Sequence, residues 1–300
     1  MNNLDSEKKL KIIMKAGQGL ALTGAVVGLP AWAYARFVEP NWLEVSHPTV
    51  KVDELEGIPQ ALKGFKVAFF SDLHLPSKGP ARNTLWLAVE KTLLERPDLV
   101  LLGGDLFDRG KYNPVMAEMV RVLTGAGIPV RAVLGNHDYF GRRGEYLRMM
   151  KNLEEAGLKW LVNRAEAFCY KGAEIWLAGI DDFAKGEPDV AETARQIPPG
   201  VRPLLLLTHN PGTIRTIPPG FAHIMLSGHT HGGQINPALP PLHRKLNWIT
   251  LRPGSHHYSE FPLGWYTFKG IRLYVGRGLG MSGMKLRFNA RPELVMLQFV

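Results

Sequence analysis

Five short polar motifs carry the chemistry in this sequence: Asp72-Leu73-His74, Gly104-Asp105-Leu106-Phe107-Asp108, Gly135-Asn136-His137-Asp138, Thr208-His209-Asn210 and Gly228-His229-Thr230-His231. Each holds an Asp, His or Asn, and each follows directly on an apolar run. Taken singly they are unremarkable: Gly-Asp and Gly-Asn are turn dipeptides, and a lone histidine is often a satisfied half-buried side chain. Five in succession, each at the end of an apolar run, are not explained as turns. Together they offer imidazole, carboxylate and amide-oxygen donors enough for two metal ions, and no thiolate, a set suited to hard-to-borderline divalent cations. A carboxylate between two such ions holds them about 3.5–4 Å apart, and the pair activates water near neutral pH and neutralises charge on phosphoryl oxygens. Hydrolysis of a phosphate ester is the reaction this donor set implies most strongly.

The elements that must position these groups are legible from periodicity. The runs 65–70, 99–102, 130–134, 204–207 and 223–226 are short, apolar and bounded by glycine or polar turns, which predicts strands buried on both faces. Leu85, Val89 and Leu93, then Val115, Met119, Val120 and Leu123, then Leu147, Met150 and Leu153 recur at helical spacing between and after the first three motifs. Alternating strands and helices predict a layered α/β domain with its functional groups beyond the carboxyl ends of the strands. Further strands are expected at 174–180, 265–268, 271–275 and 294–300, forming a second sheet and a sandwich with helices outside. The glycines in the motifs allow tight turns that aim donors inward.

Length and composition narrow the alternatives. Three hundred residues, 45% hydrophobic and 21% charged, suffice for a large conventional core. The single cysteine, Cys169, excludes intrachain disulfides and is read as a small buried hydrophobe. The net charge of +9 suits a phosphate-bearing partner or an anionic membrane, but it is scattered, so no specific nucleic-acid partner is expected. Lys8, Lys9, Lys11 and Lys15 precede a charge-free run over residues 16–35, long enough for a signal anchor or signal peptide. The expected organisation is therefore an N-terminal targeting segment at 1–35, a linker at 36–63 with an edge strand around Val50–Leu55, and a catalytic domain at 64–300.

The motif set resembles the calcineurin-like metallophosphoesterase superfamily from about residue 60 to the C-terminus. That resemblance implies a four-layer αββα sandwich of two mixed sheets flanked by helices. It implies that Asp72, His74 and His231 bind one ion, that Asn136, His209 and His229 bind the other, and that Asp105 bridges both. Attack by a metal-bridging hydroxide would follow, with His137 protonating the leaving oxygen, Asp138 orienting His137 and Asp108 supporting the surrounding shell. Mn2+ is favoured, with Zn2+, Fe or Mg2+ as alternatives. The strings Thr208-His209-Asn210-Pro211, Gly228 through Gln234, Arg277-Gly278-Leu279-Gly280 and Arg287 through Glu293 are similar to those of membrane-associated bacterial phosphodiesterases, a subgroup that includes a UDP-2,3-diacylglucosamine pyrophosphatase. A lipid-linked substrate, an inner-membrane location and membrane association through residues 16–35 are the corresponding expectations. Arg142, Arg143 and Arg277 are candidates to grip the substrate phosphate, and the mixed apolar and basic loop at 237–248 is a candidate to rest on lipid. A general extracytoplasmic phosphodiesterase or phosphatase, and a noncatalytic membrane-tethered metal-binding module, stay open at this point. The side of the membrane and the oligomeric state are not fixed by the sequence.

Overall fold

Each apolar run that precedes a motif is a buried strand. The computed structural model describes residues 28–75, 80–108, 112–141, 143–236 and 260–300. Among these, the strands in chain order are β1 (Glu44–Ser46), β2 (Thr49–Val50), β3 (Lys66–Phe70), β4 (Leu99–Gly103), β5 (Val130–Val133), β6 (Leu158–Trp160), β7 (Arg164–Tyr170), β8 (Ala173–Gly179), β9 (Leu205–Leu207), β10 (Ile224–Ser227), β11 (Gly264–Phe268), β12 (Ile271–Val275) and β13 (Glu293–Phe299). The helices are α1 (Pro80–Glu95), α2 (Pro114–Gly125), α3 (Arg143–Glu155) and the short α4 (Val190–Arg195).

Two mixed sheets result. The first runs β1-β13-β3-β4-β5-β6, with β2 also pairing β13, and is parallel except at β13–β3. The second runs β11-β12-β10-β9-β8-β7, parallel in its centre and antiparallel at both outer pairs. Strand alternation sorts the side chains between layers. Val67, Phe69, Leu99, Leu101 and Val133 meet Leu205, Leu207, Ile224 and Leu226 between the sheets. Ala68, Phe70, Val100, Leu102 and Ala132 face the opposite way, onto Leu85 and Val89 of α1 and Met119, Val120 and Leu123 of α2. Outside the second sheet, Leu206, Met225 and Leu273 pack with Ile214 and Ile217, so this fourth layer is built from α4, a 3-10 turn at Pro211–Arg215 and loops. The expected four-layer αββα sandwich is the observed architecture.

The helices begin where local chemistry dictates. Asn113 caps α2, its Oδ1 accepting from the Val115 N–H at 3.0 Å, and Pro114 occupies the first helical position, where no N–H is needed. Three local expectations are corrected. The edge strand expected around Val50–Leu55 lies earlier, as β1 and β2 against β13, because Val52–Glu54 turn in a 3-10 helix. Leu147 is exposed, and Met149 with Leu153 buries the α3 face instead. Cys169 is exposed, since β7 is the outer strand of its sheet and alternation turns Phe168 inward.

The C-terminal strand β13 inserts between β1 and β3, so the loop before it must cross the carboxyl end of β3. Arg287 organises that loop from within. Its side chain is wholly buried and donates to the carbonyls of Gly280 (3.1 Å from Nε), Ala290 (2.7 Å), Arg277 (2.9 Å) and Gly278 (3.0 Å). Burial pulls its pKa down to about 10, which leaves it protonated at neutral pH. The Leu279 and Gly280 N–H groups then donate to the carbonyls of Ser71 and Asp72. From the N-terminal side, the buried Glu39 carboxylate accepts from the Asn289 and Ala290 N–H groups at 2.9 and 2.6 Å.

Removing the guanidinium strands several buried carbonyls, so Arg287→Met is expected to lower the unfolding free energy by about 3–5 kcal/mol. Arg287→Lys should recover little of it, because one ammonium cannot replace a planar fork of donors. Urea denaturation midpoints measure both; an Arg287→Met midpoint equal to wild type would contradict this role.

Candidate metal centre

All five motifs occupy loops at the carboxyl ends of strands: β3, β4 and β5 of the first sheet, β9 and β10 of the second. The loops after β3 and β4 zip together, with the Asp72, His74 and Leu75 N–H groups donating to the carbonyls of Gly104, Asp105 and Leu106. The loops after β9 and β10 join where the Gly228 N–H donates to the His209 carbonyl. Tight convergence forces unusual backbone. Asp72, His74, Asp105, His229 and His231 have φ of 52°, 40°, 52°, 69° and 52°, the left-handed region that disfavours a Cβ. Such conformations cost about 1–3 kcal/mol each and persist where the surroundings over-determine them, typically at functional sites. Two glycines have no substitute here: a Cβ on Gly135 would strike the Asp105 amide and carboxylate, and one on Gly228 would strike the Asp72 carboxylate.

The donors come together around Asp105. Its Oδ2 lies 3.2 Å from His209 Nε2 and 3.4 Å from His74 Nε2. His229 Nδ1 approaches His209 Nε2 to 3.2 Å, and His74 Nε2 approaches His231 Nε2 to 3.1 Å. His231 Nε2 is 3.5 Å from Asp72 Oδ1. Three groupings bring their ligand atoms within 4.8 Å of one another: Asp72 with His74 and His231, His74 with Asp105 and His137, and Asp105 with His209 and His229. Backbone fixes both carboxylates, since the His137 N–H donates to Asp105 Oδ1 at 2.7 Å and the His229 N–H donates to Asp72 at 3.0 Å. The His209 Nδ1–H donates to the Gly103 carbonyl at 2.8 Å, directing Nε2 at the cluster.

Burial removes charge from most of these groups, and His209 with Asp105 is the exception. Burial drives the pKa of His74 and of His229 down to about 3, and that of His231 well below the usual histidine range. Burial pushes Asp72 up to about 6, against the pull of His209. His209 goes the other way: burial alone would lower it, but Asp105, with Asp72 and Asp182, raises it well above the ordinary value. Asp105 is correspondingly lowered, despite its burial, by His209, His74 and His137. Without a metal, the Asp105 carboxylate therefore favours the protonated form of His209. The donor set fits divalent ions in place of that proton: lone pairs of four imidazoles and two carboxylates face one another at hydrogen-bond range, and the buried Asn136 Oδ1 has no hydrogen-bond partner.

His137 stands beside this cluster, its ring edge-on to His74 with centroids 4.5 Å apart. Its expected orientation by Asp138 is corrected. The Asp138 carboxylate is wholly buried and accepts from the Phe107 and Gly135 N–H groups at 3.0 and 2.9 Å, so it holds the turn and not the ring. The ring instead has Asp108 Oδ1 3.9 Å from Nδ1 and Ser282 Oγ 3.3 Å from Nε2. Asp108 in turn pairs with Lys285, Nζ to Oδ2 at 3.3 Å. Ser282 and Lys285 lie between the strings Arg277–Gly280 and Arg287–Glu293 and belong to neither; their loop is tied to the metal motif by the Gln234 amide, which donates to the Ser282 and Met284 carbonyls at 3.0 and 2.6 Å. Tyr139, on the same turn as His137, crosses to the second sheet by donating to Asp181 at 2.6 Å.

The expected phosphate-gripping arginines fare differently. Arg277 is turned into the fold, its guanidinium 2.9 Å from Glu44 and 3.3 Å from Glu293, and carboxylate pairing takes the place of the expected substrate contact. Arg143 is exposed at the start of α3. Arg142, the loop at 237–248 and residues 16–27 of the expected membrane segment lie outside the described residues. Among the described residues no helix is long and apolar enough to cross a membrane.

Comparison with known proteins agrees with this geometry. A family model described as calcineurin-like phosphoesterase matches residues 65–233, more than half of the chain. The chain is 29% identical to the metallophosphoesterase YkuE of Bacillus subtilis over 94% of each protein. It is 29% identical to the phosphodiesterase YaeI of Escherichia coli, covering 94% of this chain and 97% of that one. It is 23% identical to the UDP-2,3-diacylglucosamine pyrophosphatase LpxG of Chlamydia muridarum, again over 94% and 97%. With its five motifs gathered at the sheet ends and this match across them, the chain belongs to the calcineurin-like phosphoesterase family and is a hydrolase.

Proposed function

We propose that this enzyme hydrolyses a phosphodiester or pyrophosphate bond at a dinuclear centre, and that its natural substrate is lipid-linked, of the UDP-2,3-diacylglucosamine type. The observation that carries the dinuclear reading is a pair of donor groups, Asp72 with His74 and His231 and Asp105 with His209 and His229, joined where His74 lies 3.4 Å from Asp105. In this reading Asp72, His74 and His231 hold one ion, Asn136, His209 and His229 hold the other, and Asp105 is shared. Bound there, a pair of divalent ions, Mn2+ by preference, supplies an activated water and charge neutralisation on the phosphoryl oxygens. The protein fixes both carboxylates by backbone hydrogen bonds. His137, with Asp108 facing Nδ1, delivers a proton to an alkoxide leaving group.

The lipid-linked substrate rests on the likeness to LpxG and on the N-terminal surface. Beyond the charge-free run over 16–35, which ends at Arg36, Phe37, Val38 and Trp42 are exposed, as Trp32 is within it. Trp residues beside an apolar segment suit a headgroup region. We infer association with the bacterial inner membrane through this segment. Lysines ahead of it favour a cytoplasmic N-terminus; a C-terminal reporter on the exterior would remove a cytoplasmic nucleotide-lipid substrate and favour an extracytoplasmic phosphodiester.

Dialysis of purified enzyme against a chelator is expected to abolish turnover of UDP-2,3-diacylglucosamine and of bis(p-nitrophenyl) phosphate, with Mn2+ restoring it; activity indifferent to chelation would overturn the proposal. Because the metal-free site favours a proton on His209, metal binding must expel it. Apparent Mn2+ affinity should therefore rise with pH, and calorimetry in buffers of different ionisation enthalpy should register proton release; binding with no proton release would contradict this. Replacing His137 by Ala should slow alkyl phosphodiester cleavage by about 100-fold or more, while pyrophosphate cleavage, whose leaving phosphate has a pKa near 6, changes little. Equal losses on both substrates would remove His137 as the proton donor.

A further inference from the structure

We propose that Lys285 is a substrate-binding residue that sets specificity, its ammonium receiving the charged leaving group of a substrate that carries a second phosphate. The inference rests on the phosphoesterase reading above and names a cation for it. Arg277 is engaged by Glu44 and Glu293, and Arg143 is exposed at the start of α3. Lys285 stands on the far side of Asp108 from His137: its Nζ is 3.3 Å from Asp108 Oδ2, and Asp108 Oδ1 is 3.9 Å from His137 Nδ1. On the other ring nitrogen of His137, Ser282 of the same loop lies at 3.3 Å. The loop thus flanks the imidazole on both sides, where a leaving group must depart.

Lys285 is held and still reachable. Among the described residues its partners are the Asp108 carboxylate and the Met281 carbonyl, the latter at 3.1 Å, which leaves one of three N–H groups to offer. The side chain is 39% exposed, so its pair with Asp108 is a weak one that an arriving phosphate can share. The loop carrying it is tied to the metal motif. Gln234, three residues beyond His231, donates to the Ser282 and Met284 carbonyls and accepts from the Ser282 N–H at 3.0 Å. Arg287 clamps the loop from its other end. Metal ligands and ammonium therefore belong to one hydrogen-bonded unit, which fixes the distance between the attacked phosphorus and the place where the leaving phosphate gathers charge.

In a pyrophosphate, water adds to one phosphorus and the bridging P–O bond breaks with its electron pair on the departing oxygen. The water oxygen stays on the attacked phosphorus, its protons pass to solvent or the products, and two phosphate monoesters result. The departing group carries added negative charge, which Lys285 receives. A diester that releases a phenol has no second phosphate to offer it.

The test uses the full chain loaded with Mn2+, as wild type, Lys285→Met and Lys285→Arg. UDP-N-acetylglucosamine represents a leaving group that carries a phosphate, and bis(p-nitrophenyl) phosphate one that does not. Lys285→Met should lower kcat/KM on the nucleotide sugar by about tenfold or more, through kcat as well as KM, and alter the diester by less than about threefold. Lys285→Arg should recover most of the loss. Calorimetric affinity for inorganic phosphate should fall in Lys285→Met in the same proportion, and thermal melting should match wild type. An equal loss on both substrates, or no loss on either, overturns the inference. Wild-type protein inert on both substrates overturns the phosphoesterase reading itself, a different outcome from a wild type that works and a Lys285→Met that works equally well.

Discussion

The structure is governed by the enforced approach of groups that repel one another. Around Asp105, the Nε2 atoms of His74 and His209 lie within 3.4 Å of one carboxylate oxygen, and further imidazoles stand behind each. The neutral imidazoles of His74, His229 and His231 turn lone pairs toward their neighbours at this range, among side chains that are largely buried. Such an arrangement is stable only around positive charge. A proton favoured at His209 answers part of the demand, and the two divalent cations proposed for this site would answer the rest.

Holding those groups in place accounts for much of the architecture. Parallel strands from two sheets end at one level, so the first residues of five loops can meet. Left-handed backbone at five candidate ligands turns their side chains inward at a cost the neighbouring hydrogen bonds offset. The C-terminal strand enters the middle of the first sheet, which draws the preceding loop across the site and brings Ser282 and Lys285 to His137. Arg287, buried among carbonyls, makes that crossing rigid. Stability and function are thus built from the same loops: the carbonyls of Ser71 and Asp72 that pair with the tail belong to the first metal motif.

Much of this was legible before any coordinates. Strands β3, β4, β5, β9 and β10 each read as an apolar run with a polar stop, because burial on both faces leaves no alternation to confuse them. The candidate ligands were legible because the chemistry demands specific residue types at strand ends. Other features were not. Asp138 carries the right residue type beside His137, yet its carboxylate binds backbone N–H groups, and sequence spacing cannot tell a ring partner from a turn partner. Arg277 has the right charge, but its nearest carboxylates, Glu44 and Glu293, are 233 and 16 residues away along the chain. Lys285 lies 177 residues from Asp108, so only the placement of β13 reveals the pair. Cys169 and Leu147 misled because single apolar residues on outer elements often face solvent.

The central claim is that one carboxylate, Asp105, is shared by two cations. Anomalous diffraction from Mn2+-soaked crystals tests it directly. The account predicts two anomalous peaks about 3.5–4 Å apart on either side of that carboxylate, one toward His74 and His231 and the other toward His209 and His229. A single peak, or peaks remote from Asp105, would contradict it.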